Sequence, residues 1–339
     1  MGRQGCDVLP ARCSIVISSY NYGRYLERCV SSALAQSVPA EVIVVDDGST
    51  DGSRDVLEKF GNAITCIYQE NSGQAAAMNV GIAAAQGDIV ALLDADDWAY
   101  ESKVDEILSA FDSSPDGTWL RHNLALFDGD QVIAQTSYDF PRRHSPIADY
   151  LRCGITVGET SCMAFRRDFL ISEIGEIPTL YSTYADSYLK LSAALLGSCI
   201  DCPRSLGVRR LHRAQASSRS NGTPERVTAR IRHLKANAER AAAIGEQVAI
   251  TELAGAGTWW QQRSLLHELI LESPRASSFA GWLRYVSSLR ESDLSSASKF
   301  AFAVRECLLV LTPRPMFPLA WWSTNDGRRV LRRANAAVR

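Results

Sequence analysis

No apolar stretch of this chain comes near the ~20 residues that cross a bilayer. The longest candidate, Phe300 to Leu311, is interrupted by Arg305 and Glu306. The N-terminus lacks the charged-then-apolar layout of a secretory leader. These two absences predict a soluble or peripheral protein of the cytoplasm. No GxGxxG run follows any predicted strand, which excludes a dinucleotide dehydrogenase. Zinc-site spacing is also missing: Cys199 and Cys202 form one CxxC, with no second such pair and no His pair beside it. The nine cysteines are odd in number and scattered, several within apolar stretches (Cys66, Cys162, Cys199), as reduced, core-filling thiols would be. Net charge is scarce as well, and −2 argues against bulk binding of nucleic acid.

What remains is a chain of 339 residues, long enough for a large core and an appendage. Short apolar runs alternate with helical patterns up to about residue 112, the signature of a parallel α/β sheet. Strands are predicted at Ser14–Ser18, Glu41–Val45, Ala63–Tyr68 and Ile89–Leu93. Helices are predicted at Tyr25–Gln36, Ser53–Phe60, Gln74–Ala85 and Ser102–Phe111. The next hundred residues are mixed. Thr118–Phe127 and Gln131–Ser137 read as a hairpin around Asp128-Gly129. Thr160–Phe165 and Gly207–Leu211 read as short strands, and Ala185–Leu196 as a periodic helix. After Pro224 the pattern is helical, so a boundary falls near residue 220 in SSRSNGTP. The expected divisions are 1–112, 113–220 and 221–339. Basic residues concentrate late: Arg204 to Arg240 holds ten Lys/Arg against two acids, and the last 26 residues hold six Arg against one Asp.

The most informative stretch is Gly87 to Trp98, GDIVALLDADDW. A run of five apolar residues suits a strand buried on both faces, and it ends in Asp94, Asp96 and Asp97. Ligands of parallel sheets sit beyond the carboxyl ends of the strands. Carboxylates crowded there repel one another and lose hydration unless a cation lies between them. Mg²⁺ fits, since it is commonly held by one or two carboxylates plus substrate phosphates. Two further loops leave predicted strands at the same edge: Ser19-Tyr20-Asn21, and Asp46-Asp47-Gly48-Ser49. Tyr20 offers a stacking face, Ser19 a hydroxyl and Asp47 an acceptor for a base N–H, although for Tyr20 taken alone ordinary packing is the better explanation. Turn and capping chemistry accounts for Ser49, Asp51 and Gly52. Asp47 to Glu58 comes close to a calcium-binding EF-hand loop, but Glu41–Val45 is β-branched where that motif needs a helix. Gly73 opens the Ala-rich helix with free N–H groups that can face a phosphate.

Ser14–Gln36 (SIVISSYNYGRYLERCVSSALAQ), Glu41–Ser53 (EVIVVDDGSTDGS) and Asn71–Asp97, ending in LLDADD, together resemble the inverting family 2 glycosyltransferases of the GT-A fold, bacterial cell-surface polysaccharide type. The likeness is tight over about the first 110 residues and looser to about 217. It implies a Rossmann-like sheet whose first half binds a nucleotide-diphosphate sugar, a second half that binds the acceptor, and a C-terminal helical extension. It implies that Asp47 contacts the nucleobase and that Asp94-Ala95-Asp96 is the DxD motif, with Asp96 as metal ligand. Asn79 joins the nucleotide-sugar residues with Ser19, Tyr20, Asn21, Asp46, Ser49 and Gly73. The family's acidic pair reads Ala185-Asp186 here, so Asp186 alone is the implied catalytic base, against a helix-capping role. Arg210-Leu211-His212 with Ser217 resembles a segment whose His ligates the metal.

The resemblance implies a divalent metal (Mg or Mn) and one sugar moved with inversion from a donor, read as a UDP-sugar, to a glycan or lipid-linked acceptor. The QxxRW motif and membrane spans of processive polymerases are absent; Trp259-Trp260-Gln261-Gln262-Arg263 has the wrong order. Pro315-Met316-Phe317-Pro318, Trp321-Trp322 and the arginines after them suit a peripheral contact with an anionic membrane. Helix packing or a homodimer contact is the alternative. A nucleotidyltransferase of related fold would need a Gly-rich basic loop after the first strand, which Ser18–Gly23 lacks. An impaired nucleotide-sugar-binding module is the reading that Ala185 suggests and that Asp94, Asp96 and Asp186 oppose.

Overall fold

The computed structural model describes residues 12–136, 159–181 and 185–212, with positions 236 and 240. The chain divides into two compact units, Met1–Leu211 and His212–Arg339. The architecture below is that of the first. The region after 212, with its aromatic and basic segment and Ser217, lies outside the described residues, apart from positions 236 and 240. No helix among the described residues is long and apolar enough to cross a membrane.

Nine strands among the described residues form one sheet. The first four are β1 (Cys13–Ser19), β2 (Glu41–Asp46), β3 (Thr65–Tyr68) and β4 (Ile89–Asp94). Aliphatic residues fill both faces of β1, β2 and β4, as central parallel strands require. The helices between them cover the faces: α1 (Gly23–Leu34), α2 (Ser53–Glu58) and α3 (Gln74–Ala84). Helix α1 turns Leu26, Cys29, Val30 and Ala33 into the core beside Ile15, Ile17 and Leu93. Helix α3 lies close to the sheet because its residues are small. A Cβ on Gly81 would stand 2.4 Å from Val16 Cγ1, so even alanine there would force a shift. The small-residue stretch therefore serves packing, as expected.

Strand order decides where a ligand can sit. The chain lays β2 and then β3 on one side of β1, and returns to lay β4 on the other, all parallel. The loops after β1 and β4 consequently diverge, which opens a crevice at their carboxyl ends. Beyond β4 the sheet is mixed rather than mostly parallel. The remaining strands are β5 (Trp98–Ala99), β6 (Trp119–Phe127), β7 (Val132–Gln135), β8 (Met163–Arg166) and β9 (Cys199–Arg210). Antiparallel β8 joins β4 to β6, β7 pairs β6, and β9 runs parallel to β6 with β5 at its edge. Helix α4 (Lys103–Ser113) follows β5, and α5 (Ala185–Leu196) precedes β9.

Strand β9 is twelve residues long, where the sequence predicts only its last few. Pro203 hid it, since proline inside a run argues against a central strand. The register moves from His122↔Cys202 to Asn123↔Ser205, leaving Pro203 and Arg204 in a bulge. Asn123 Nδ2 donates to the Pro203 carbonyl at 2.7 Å and closes it. Two-residue β5 was also unforeseen, because Trp98-Ala99 is a strand only by pairing with Val208 and Gly207.

Candidate active site

The loop after β4 carries the acidic cluster. Ligand oxygens of Asp94, Asp96 and Asp97 lie within 4.8 Å of one another. Asp96 and Asp97 are buried, and Ala95 between the carboxylates is buried too. Burial and the neighbouring charges of Asp97, Asp96, Asp186 and Glu159 push the Asp94 carboxyl well above the usual carboxylate range. Burial and Asp96 push Asp97 up to about 7, against bonds from Ser161 and the Arg210 backbone. Three oxygens facing one another with little water are the donor set of a hard divalent cation. The residues present fit Mg²⁺ or Mn²⁺.

The cluster's backbone is held from three sides. Ser161 Oγ donates to Asp97 Oδ2 at 2.6 Å and accepts the Asp94 N–H at 3.0 Å. The Arg210 N–H donates to Asp97 Oδ1 at 2.9 Å, and Arg210 Nε to the Asp96 carbonyl at 3.1 Å. Lys103, fully buried, donates to the Ser161 carbonyl at 2.6 Å. Burial pulls its pKa down to about 8, although the Cys162, Cys13, Asp97 and Cys29 groups oppose this. The Arg28 guanidinium lies 3.5 Å over the Trp98 ring and Arg210 lies 5.0 Å from it, so the indole is flanked by two cations. Ser161 and Lys103 had no signal in the sequence. Asp97 did, as the third carboxylate of the run.

The loops after β1 and β2 are locked together. Asn21, at φ 57, donates its N–H to Ser49 Oγ at 2.8 Å and accepts the Thr50 N–H on Oδ1 at 2.8 Å. Ser49 Oγ donates in turn to Asp46. Asp51 accepts the Gly23 N–H at 3.0 Å and the Ser53 N–H at 2.9 Å. Asp47 Oδ1 accepts from Gln69 Nε2 at 2.7 Å and the Ser72 N–H at 2.8 Å, and its Oδ2 accepts the Gly73 N–H at 2.8 Å. This places the start of α3 beside the β2 loop. It also occupies the carboxylate expected to meet a nucleobase. Gly48 at φ +74 is required there, since a Cβ would stand 2.7 Å from the Asn71 nitrogen. Ser19 is buried, and its Oγ has no hydrogen-bond partner among the described residues. Tyr20 beside it is 45% exposed.

Asp186 lies in the first turn of α5, and its charge acts on Asp94. It forms an ion pair with Lys190, whose Nζ is 2.5 Å from Asp186 Oδ2. Asn79 donates to the Ile177 carbonyl and accepts the Ile177 N–H, both at 2.9 Å, so its amide ties α3 to the chain after β8. That geometry accounts for Asn79 without a ligand. His212 opens the second unit and is not one of the three clustered ligands.

Residues 14–174 match the family model described as Glycosyl transferase family 2. An uncharacterized glycosyltransferase of Nostoc sp. is 37% identical over 59% of this chain and 65% of its own length. The succinoglycan biosynthesis protein ExoU of Rhizobium meliloti is 32% identical over 53% of this chain and 51% of its own. The chain thus spans less than two thirds of these curated relatives. Among solved structures, S. aureus TarS 1-349 in complex with UDP-GlcNAc aligns with TM-score 0.56 at 17% identity, over 83% of this chain and 92% of that one. The mannosyltransferase PcManGT of Pyrobaculum calidifontis, in complex with GDP-Man and Mn²⁺, aligns with TM-score 0.51 at 15% identity, over 97% of this chain and 87% of its own. At that identity the likeness concerns the fold. With its three loop motifs and its crevice between β1 and β4, this chain matches glycosyl transferase family 2 over residues 14–174.

Proposed function

We propose that this protein transfers a single sugar, with inversion, from a nucleoside-diphosphate sugar to a hydroxyl of a glycan or lipid-linked acceptor in the synthesis of cell-surface polysaccharide. The observation that carries this is the cluster of Asp94, Asp96 and Asp97 within 4.8 Å at the carboxyl end of β4, with Asp94 and Asp97 raised by burial and mutual repulsion. The donor of choice is a UDP-sugar, with TarS bound to UDP-GlcNAc as a structural precedent. The involvement of ExoU in succinoglycan biosynthesis favours a polysaccharide acceptor.

Asp96, with Asp94 and Asp97 beside it, would hold the divalent cation in this reading. Bound there, Mg²⁺ or Mn²⁺ supplies positive charge where the departing diphosphate becomes more negative. Tyr20 and Ser19 receive the nucleoside, and Asp47 fixes the loop at Gly73 against which it lies. Asp186 takes the proton from the acceptor hydroxyl as the new glycosidic bond forms on the face opposite the leaving group. No covalent sugar–enzyme bond is needed.

The direct test is a screen of nucleotide sugars for Mn²⁺-dependent hydrolysis or transfer, with Asp96→Asn as control. Turnover that needs both a divalent cation and Asp96 supports the reading. Turnover by Asp96→Asn at the wild-type rate refutes the metal assignment.

A further inference from the structure

Lys190 stands one helical turn after Asp186 on α5 and is only 3% exposed. A buried ammonium 2.5 Å from a carboxylate differs from the solvated i,i+4 pairs of helix surfaces, which contribute a few tenths of a kcal/mol. Burial weakens its hold on a proton, yet the Asp186 and Glu159 carboxylates, together with Cys162, leave its proton affinity raised. Glu159 comes from the segment before β8 and carries its own ion pair, to Arg209 Nη1 at 2.7 Å. Asp186 and Glu159 also act together on Asp94. Asp186 therefore holds the buried ammonium at contact distance beside the acidic loop, and the charge of Glu159 acts on it from a different element. Both act where Ala185 leaves α5 with a single acid in its first turn.

We propose that Lys190 is a positioning residue that orients Asp186 for proton transfer, and that Glu159, whose charge acts on the same ammonium, takes the place of the second carboxylate missing at Ala185. The inference rests on Asp186 being the base. In the step, the acceptor O–H proton passes to an Asp186 oxygen, the oxygen's electron pair forms the new C–O bond, and the old C–O bond leaves with the diphosphate. Lys190 keeps Asp186 ionised and in one rotamer beforehand. Once Asp186 is neutral, the charge of Glu159 still acts on Lys190, so the buried ammonium keeps a compensating negative charge nearby. A helix carrying both acids would serve itself; here the task is divided between α5 and the segment before β8.

The test uses the full chain with Mn²⁺, UDP-GlcNAc as probe donor and water as acceptor. Asp186→Asn should abolish turnover. Lys190→Met should lower kcat at least about tenfold, leave the donor KM within about twofold, and move the acid limb of the kcat profile up by about one pH unit. Lys190→Arg, which keeps the charge, should recover most of the rate. Glu159→Gln should lower kcat several-fold and move the acid limb the opposite way. If Asp186→Asn is inactive while Lys190→Met matches wild type in kcat and acid limb, this inference fails and the base assignment stands. If Asp186→Asn is active, both fail. Where Lys190→Met does not fold, unchanged kcat and acid limb in Glu159→Gln overturn the proposal. Where UDP-GlcNAc is not turned over, the Asp186 carboxyl can be titrated by ¹³C NMR in Mg²⁺-loaded protein. A midpoint that does not rise in Lys190→Met, or for want of that variant does not fall in Glu159→Gln, overturns it equally.

Discussion

Two loops of this molecule use aspartate in opposite ways. After β2, Asp47 and Asp51 are each met by backbone N–H groups, Asp47 by Ser72 and Gly73, Asp51 by Gly23 and Ser53. Burial works against ionising Asp51, yet the Ser53 hydroxyl and the backbone N–H groups hold its carboxyl below the usual range. After β4, Asp94 and Asp97 face other carboxylates and are pushed upward. A carboxylate capped by N–H groups serves the backbone, whereas one crowded by its own kind calls for an external cation. The same residue type thus marks the scaffold in one loop and the chemistry in the next.

Substitutions should separate the two loops. The largest effect on activity is expected from Asp96→Asn, a loss of two to three orders of magnitude in kcat/KM, about 3–4 kcal/mol of transition-state stabilisation. Its melting temperature without metal should stay at or above that of wild type, because a repelling charge is gone; a large drop on calorimetry would place Asp96 among the scaffold acids. Asp47→Ala should do the reverse to stability. It leaves the Ser72 and Gly73 N–H groups without their acceptor and should cost about 2–4 kcal/mol in denaturant unfolding. Unfolding at the wild-type midpoint would contradict the latch.

The pH dependence of stability has a definite sign. The folded pKa values of Asp94 and Asp97 lie above their unfolded values, so the native state without metal holds more protons between about pH 4 and 7. Their contribution is therefore fully present at low pH and is lost as pH rises; for Asp97, whose folded value is about 7, that decline is on the order of 4 kcal/mol. Mg²⁺ or Mn²⁺ should restore stability above pH 7 and do little at pH 5, where protons occupy the oxygens. Melting curves at pH 5.5 and 7.5 with and without metal check this, and a metal effect independent of pH would speak against the acidic loop as its site. Among glycines, Gly48→Ala should cost about 1–3 kcal/mol, because a positive φ and the Asn71 backbone both oppose a Cβ. The smallest effect is expected at Gly52→Ala, within about 0.5 kcal/mol, where a Cβ meets nothing within 4 Å. Equal losses at both positions would remove the special status of Gly48.

Much of this was legible in the residues. The apolar run ending at Asp94 gave both the buried strand and the site beyond it, because five aliphatics followed by three acids admit few other structures. The helices over the parallel half were visible as helical patterns between the apolar runs, α1 by its buried face of Leu26, Cys29, Val30 and Ala33. Other features depended on distant partners. Strand β9 was masked by Pro203, whose bulge exists only opposite Asn123. Lys103, Ser161, Lys190 and Glu159 carry no pattern of their own, and they become site residues only when β8, α4 and α5 fold against β4. Asn79, expected at the nucleotide sugar, is bonded to Ile177 across a separation that no local motif announces.

The acidic loop after β4 stands or falls as a cation–diphosphate site on one diffraction experiment. Crystals of the full chain soaked with Mn²⁺ and UDP should give one anomalous peak against Asp96, with the diphosphate on its far side and Tyr20 against the uracil. A peak elsewhere, or UDP bound away from the crevice between β1 and β4, would contradict it.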